Sequence, residues 1–221
     1  MPNINVAVVG HSHIKRLKLL IDANPMLLSE LEDAITVDKV ETIFLGAGGV
    51  KIKHLFHSHP ERLPPSKLSF HEDFGEILMS RPDCIIFSLG DNDINCATSA
   101  EEISSRLIAL ATMIQRRHGV RHIIFSQILP RHGEEFADYN IKAFDINRSL
   151  ARESKFQKGI FFQHLGFAFP SESRRGRKKF TPFLATKKFY RTDGIHLNNE
   201  GYLLFLSKIK NSLIQEATFL A

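Results

Sequence analysis

The chain has 221 residues, 43% of them hydrophobic and 24% charged. That is enough for one α/β domain with a full core spanning 1–221, and no stretch reaches the roughly 18–20 apolar residues that a membrane span needs. The net charge of +5 is uneven: between Gly166 and Arg191 stand eight basic residues and one acid, Glu172, so that segment carries +7 and the remainder −2.

The first strand starts almost at Met1, which leaves no room for a cleavable secretory leader, so an intracellular, cytoplasmic location is expected. It runs from Val6 to Gly10. A helix comes next, with Ile14, Leu17, Leu20 and Ile21 on one face and Lys15, Arg16 and Lys18 on the other, ending near Asn24-Pro25. A short helical stretch over Leu27–Leu31 precedes a second strand, Glu41–Leu45. Val50–His57 reads as a short helix, the Pro-rich stretch from His59 to Ser66 as a loop, and Phe74–Met79 as a helix. Asp83–Leu89 is a buried strand. Ser99 and Glu102 make a capping-box pattern ahead of a helix that carries Ile103, Leu107, Leu110 and Ile114 at helical spacing. A fourth strand spans His122–Gln127, a helix Asp138–Glu153, a short fifth strand Ile160–Gln163, and a closing helix Asn198–Ile214. Strands alternating with helical runs predict a parallel sheet with helices on both faces. Cys84 and Cys96, the only cysteines, form no disulfide framework and read as free, buried thiols.

Four short islands carry the chemistry. Gly10-His11-Ser12 closes the first strand and opens a helix, so Ser12 offers a hydroxyl among the unpaired N–H groups of a helix start; the plainer reading is a helix N-cap. Gly46-Ala47-Gly48-Gly49 closes the second strand. There glycine lets backbone approach a ligand and present its N–H, with Gly49 the first choice and Gly48 the competitor. Gly90-Asp91-Asn92-Asp93 closes the third strand. Asn92 offers an amide donor for an oxyanion, whereas Asp91 and Asp93 also allow a metal site or an Asx turn. Asp193-Gly194-Ile195-His196 precedes the last helix, where Asp193 can fix the tautomer of His196 so that the other ring nitrogen serves as general base. A hydroxyl, a base with its carboxylate, and several oxyanion donors suffice for acyl transfer through a covalent serine intermediate. Ligands of open α/β sheets bind at the edge where the first three islands stand.

In this order and placement the islands resemble those of the SGNH (GDSL-like) hydrolase family over essentially the whole chain. The resemblance implies a three-layer α/β/α, flavodoxin-like fold with a parallel sheet of about five strands. It further implies a catalytic Ser12, Asp193 and His196, an oxyanion hole of Ser12 N–H, Gly49 N–H and the Asn92 side chain, and no cofactor or metal. Two positions depart from the pattern: His11 stands where the family has an Asp before the serine, and Phe44 where the second block has a leading Asn. A narrower resemblance links Gly-His-Ser-His-Ile-Lys-Arg-Leu, Ile-Leu-Pro-Arg and Asp-Gly-Ile-His-Leu-Asn to SGNH-type esterase domains of animal genomes, some of them in the first open reading frame of non-LTR retrotransposons. It implies a lipid or acetyl esterase acting near ribonucleoprotein or membrane. With little room for a lid domain, small acetyl esters are the expected substrates.

His11, Arg131, Arg174 and Arg175 are the candidate substrate or anion contacts, and the basic segment could attract anionic lipid or nucleic acid. The aromatic residues Phe161, Phe162, Phe167, Phe169, Phe180, Phe183, Phe189 and Tyr190 surround that segment and are candidates for an acyl pocket or for plain core. His54, His57 and His59 form a small cluster that invites metal but lacks carboxylate or thiol partners at matching spacing. Metal phosphoesterases use similar strings, but there the Gly-His-x-His comes last in the chain, not first. The Gly-x-Ser-x-Gly elbow of α/β-hydrolases is absent, since position 14 is Ile. The rival of another class is an inactive hydrolase-like module that binds nucleic acid or anionic lipid through the basic segment. No member of the catalytic set is missing, which favours catalysis.

Overall fold

The computed structural model describes residues 4–32, 40–56, 59–167 and 187–220, apart from the side chains of residues 32 and 215–220. Among them five strands form one parallel sheet: β1 (Ile4–Gly10), β2 (Val40–Gly46), β3 (Cys84–Ser88), β4 (His122–Ser126) and β5 (Ile160–Gln163), in the spatial order β2-β1-β3-β4-β5. The helices between and after them are α1 (Ser12–Ala23), α2 (Met26–Glu32), α3 (Pro65–Met79), α4 (Ala100–His118), α5 (Ala137–Glu153) and α6 (Asn199–Leu220).

Successive strand residues point to opposite faces, and here both faces are apolar. Val6 and Val8 of β1, Cys84 and Ile86 of β3 and Ile124 of β4 share one core with Ile14, Leu17 and Ile21 of α1 and Phe205, Ile209 and Leu213 of α6. The alternate residues Ala7, Val9, Ile85, Phe87, Ile123 and Phe125 share the other with Phe74 of α3, Leu107 and Ile114 of α4 and Ile146 of α5. The result is a helix–sheet–helix sandwich. The inner strands β1, β3 and β4 read as nearly unbroken hydrophobic runs because neither face meets water there, whereas the edge strand β2 leaves Glu41 and Ile43 exposed.

Strand register brings the first three islands together. Gly10 pairs with Gly46 on one side and Ser88 on the other, so β1, β2 and β3 end level and their loops leave the sheet side by side. The fit there is tight, since a Cβ on Gly46 would come within 2.2 Å of the backbone nitrogen of Lys15, at the start of α1.

Four elements differ from expectation. The helix expected at Phe74 begins nine residues earlier, at Pro65, which stands in its first turn, where an N–H would be unpaired in any case. The helix expected over Val50–His57 is a single 3₁₀ turn, Ile52–His54, and the stretch expected to be loop contains another, Pro60–Arg62. Only one of the two cysteines is buried: Cys84 lies in β3 and Cys96 is exposed, and neither is in a disulfide. The closing helix runs six residues past the expected Ile214, to Leu220; the other element bounds agree to within two residues, and the Ser99 hydroxyl accepts the Glu102 N–H at 3.0 Å to start α4. Among the described residues no helix is long and apolar enough to cross a membrane.

Gly46→Ala should lower stability by about 1–3 kcal/mol through overpacking against α1. Gly75→Ala, in a helix with open space around the added methyl, should raise it by about 0.5–1 kcal/mol. Urea unfolding of the two variants checks both signs.

Candidate active site

β1 delivers Ser12 to the sheet edge. His11 is the N-cap of α1 and Ser12 its first helical residue, so the reading of Ser12 as a cap fails; nor does the His11 side chain cap the helix. The N–H of Ser12 is one of the first four of α1, which have no partner within the helix and favour negative charge. Across 184 residues of sequence, Ser12 Oγ stands 3.2 Å from His196 Nε2. His196 Nδ1 lies 2.8 Å from Asp193 Oδ2.

The Asp193 carboxylate does two jobs. Its Oδ1 accepts the backbone N–H groups of Ile195 and His196, at 2.9 and 2.8 Å, which folds the loop, while Oδ2 holds the ring. Partial burial would raise its pKa, but the hydrogen bonds from the His196 backbone, the His196 ring and the Ile195 backbone outweigh this and bring it to about 2. An ionised acceptor at Nδ1 places the ring proton there and leaves the Nε2 lone pair facing the Ser12 hydroxyl.

The second and third islands are tied to each other and to the first. Asn92 Nδ2 donates to Val50 O at 3.0 Å, and Ile52 N–H donates to Asp93 Oδ2 at 3.1 Å. Asp91 Oδ1 accepts the Asn92 N–H at 2.8 Å and lies 3.1 Å from His11 Nε2, which also approaches Ser88 Oγ at 3.4 Å. The two carboxylates offered as a metal site thus serve as backbone acceptors. Burial pushes the Asp93 carboxyl up, against the pull of the Ile52 N–H. Gly48 and Gly49 both lie exposed on the loop after β2, Gly49 at φ 67°, and the Gly48 carbonyl accepts from Lys67 Nζ. Both glycines therefore stay available as donors. His54 departs from the proposed metal cluster: its Nδ1 accepts the Lys51 N–H and shapes the local turn, and His57 lies outside the described residues. Among the described residues no three His, Cys, Asp or Glu side chains group closely enough to hold a metal ion.

A small cavity beside this site is lined by His11, His13, Asp91, Arg131, Tyr139 and Ile195, among others. Two of the candidate contacts, His11 and Arg131, therefore line the cavity beside the site. Arg174 and Arg175 fall in 168–186, outside the described residues, as do Phe169, Phe180 and Phe183. The described acyl-pocket candidates do not line this cavity: Phe167 and Tyr190 are buried against each other, with Phe189 packed on Phe167, and Phe161 stacks on His122. The sequence reading missed His13. It is buried, its Nδ1 lies 3.2 Å from the Tyr202 hydroxyl, and its ring centroid is 5.7 Å from that of His196. Its place one residue after Ser12 in a His-Ser-His string was the available signal.

Burial holds the pKa of both His11 and His13 below the ordinary 6.5, well below for His13, with Asp91 opposing the shift at His11. Both rings stay neutral in the folded chain where a free imidazole would take up a proton. The unfolded chain therefore binds more protons on acidification, and stability should fall as pH drops below about 6.5. Melting temperatures measured between about pH 7.5 and pH 5 should decline, and His13→Gln should flatten that decline relative to its own neutral-pH value.

No protein-family model and no curated protein sequence matches this chain. Solved structures do. A carbohydrate esterase family 3 protein from Talaromyces cellulolyticus is similar at 15% identity over 99% of this chain and 100% of that one, with a TM-score of 0.62. A lipase/acylhydrolase from Enterococcus faecalis is similar at 14% identity, over 96% of each chain, with a TM-score of 0.58. A protein of Slackia heliotrinireducens assigned to the SGNH hydrolases is similar at 13% identity over 96% of this chain and 100% of that one, with a TM-score of 0.57. At these identities the likeness establishes architecture: the chain has the α/β/α fold that SGNH hydrolases share.

Proposed function

We propose that the protein is a serine esterase that cleaves small carboxylic esters, acetyl esters foremost, through an acyl-serine intermediate. The observation that carries this reading is the continuous chain of hydrogen-bonding distances Ser12 Oγ–His196 Nε2 and His196 Nδ1–Asp193 Oδ2, at the sheet edge where three loops converge. Structural neighbours described as an acetyl esterase and an acetyl xylan esterase add support for a short acyl group.

In the proposed reaction His196 Nε2 takes the Ser12 proton as Oγ attacks the ester carbonyl. The negative charge that develops rests on the N–H of Ser12, the N–H of Gly49 and the uncommitted hydrogen of Asn92 Nδ2, whose other hydrogen is spent on Val50 O. His196 passes the proton to the leaving alcohol, then activates the water that releases the acid. Asp193, whose pKa is about 2, stays ionised throughout and stabilises the imidazolium. Protonation of Asp193 therefore does not set the acid limb of the rate profile near neutral pH.

Two measurements test this. A fluorophosphonate probe read by intact mass should give one adduct on the wild type and none on Ser12→Ala; an unlabelled, folded wild type would remove the esterase reading and leave the basic segment, with salt-dependent binding of RNA or anionic vesicles, as the function to pursue. Asn92→Ala should keep the adduct yet lower turnover of phenyl acetate about 10²–10³-fold, the usual cost of one oxyanion donor.

A further inference from the structure

The segment after β4 is held with more hydrogen bonds than a turn requires. Two buried asparagines seven residues apart on α5 each grip a backbone N–H and C=O pair. Asn147 takes Ile128, at 2.8 and 2.9 Å, and Asn140 takes Arg131, at 2.8 Å for both bonds. The residues on either side of Arg131 are fastened to the segment that carries Asp193 and His196. The Tyr190 hydroxyl donates to Pro130 O at 2.6 Å, and His132 N–H donates to Gly194 O at 2.7 Å. Contact is close enough that a Cβ on Gly194 would fall 2.0 Å from His132 O. The backbone of Arg131 is thus set relative to the proposed base.

The Arg131 side chain is equally constrained. Its guanidinium lies 3.9 Å from the centroid of the Tyr139 ring and 5.6 Å from that of Phe136, half-buried at the cavity that Ile195 and His11 help line. The two rings hold the guanidinium in place, and the N–H donors not turned to Tyr139 are left to a ligand. Among the described residues no carboxylate lies within ion-pairing distance of it. Asp91 lines the same cavity, but its Oδ1 is occupied by the Asn92 N–H and His11; Asp193 is committed to His196 and its own loop. A planar cation, braced on both backbone and ring and with no carboxylate partner among the described residues, is suited to receive an oxyanion.

We propose that Arg131 is an anion-binding, specificity-determining residue, and that the substrates are esters bearing a carboxylate or phosphate group that seats on its guanidinium. This rests on the esterase reading for the word ester, but not for the anion site itself. Matched acetyl esters test it: 4-acetoxybenzoate and 4-acetoxyphenyl phosphate against the neutral methyl 4-acetoxybenzoate. The wild type should favour an anionic member in kcat/KM by about 10- to 100-fold, the range of a charge-assisted hydrogen bond, and the better of the two names the anion. Arg131→Gln should erase the preference, and Arg131→Lys should restore only part of it. Should Arg131→Gln fail to fold, a preference cut at least threefold in Arg131→Lys supports the assignment, and an undiminished one overturns it.

Calorimetry separates the two readings. Ser12→Ala should bind 4-acetoxybenzoate more tightly than its methyl ester, and Ser12→Ala/Arg131→Gln should lose the difference. Turnover with no charge preference overturns the anion site and spares the esterase. Charge-selective binding to Ser12→Ala, without turnover in the wild type, supports the anion site and removes the esterase.

Discussion

The site rests on the level ending of three parallel strands. Because Gly10 pairs with both Gly46 and Ser88, the helix start that carries Ser12, the glycine loop and the Asn92 loop leave the sheet as neighbours. The pairing needs no side chains at the edge and admits few: Gly46 lies under the first turn of α1 with no space for a methyl group. A shift of one residue in β2 or β3 would turn its apolar residues to the wrong face and withdraw a loop from the site. The double-sided core, with alternate residues of β1 and β3 serving opposite helical layers, is what locks that register.

Once the loops are adjacent, three aspartates set their shape. Each accepts from backbone N–H groups, and two of them also hold a side chain: Asp91 takes the Asn92 N–H and His11, Asp93 the Ile52 N–H, and Asp193 the N–H groups of Ile195 and His196 together with the imidazole. A carboxylate that both folds a loop and orients the proposed base, as Asp193 does, makes the geometry of the site part of the stability of the fold. It also explains His11. With a histidine before Ser12, the link between the first and third loops runs from an imidazole to Asp91, across the ends of β1 and β3, while the helix start is left uncapped by a side chain.

The far side of the site is organised by α5. Asn140 and Asn147 lie two helical turns apart and so face the same loop, where each satisfies both backbone groups of one residue. Buried amides used this way rigidify a segment that has no secondary structure of its own. Arg131, its backbone gripped by Asn140, sets its guanidinium over the ring of Tyr139 on the same helix as that asparagine. Precise placement of a polar side chain on a loop requires this kind of support.

The sequence by itself determined the strand and helix pattern, the parallel α/β class and the four islands, because hydrophobic periodicity and glycine punctuation are local signals. Where it erred, the cause was also local. Pro64-Pro65 reads as a breaker, yet a proline in the first turn of a helix costs nothing, so α3 starts there. Only the tertiary structure decided that Ser12 meets His196 across 184 residues, that Asp91 and Asp93 are backbone acceptors, that His13 is buried against Tyr202, and that Arg131 is braced without a carboxylate partner among the described residues. Those are long-range pairings between side chains that look ordinary in sequence. Their partners are chosen by sheet register and helix packing, which no local spacing encodes.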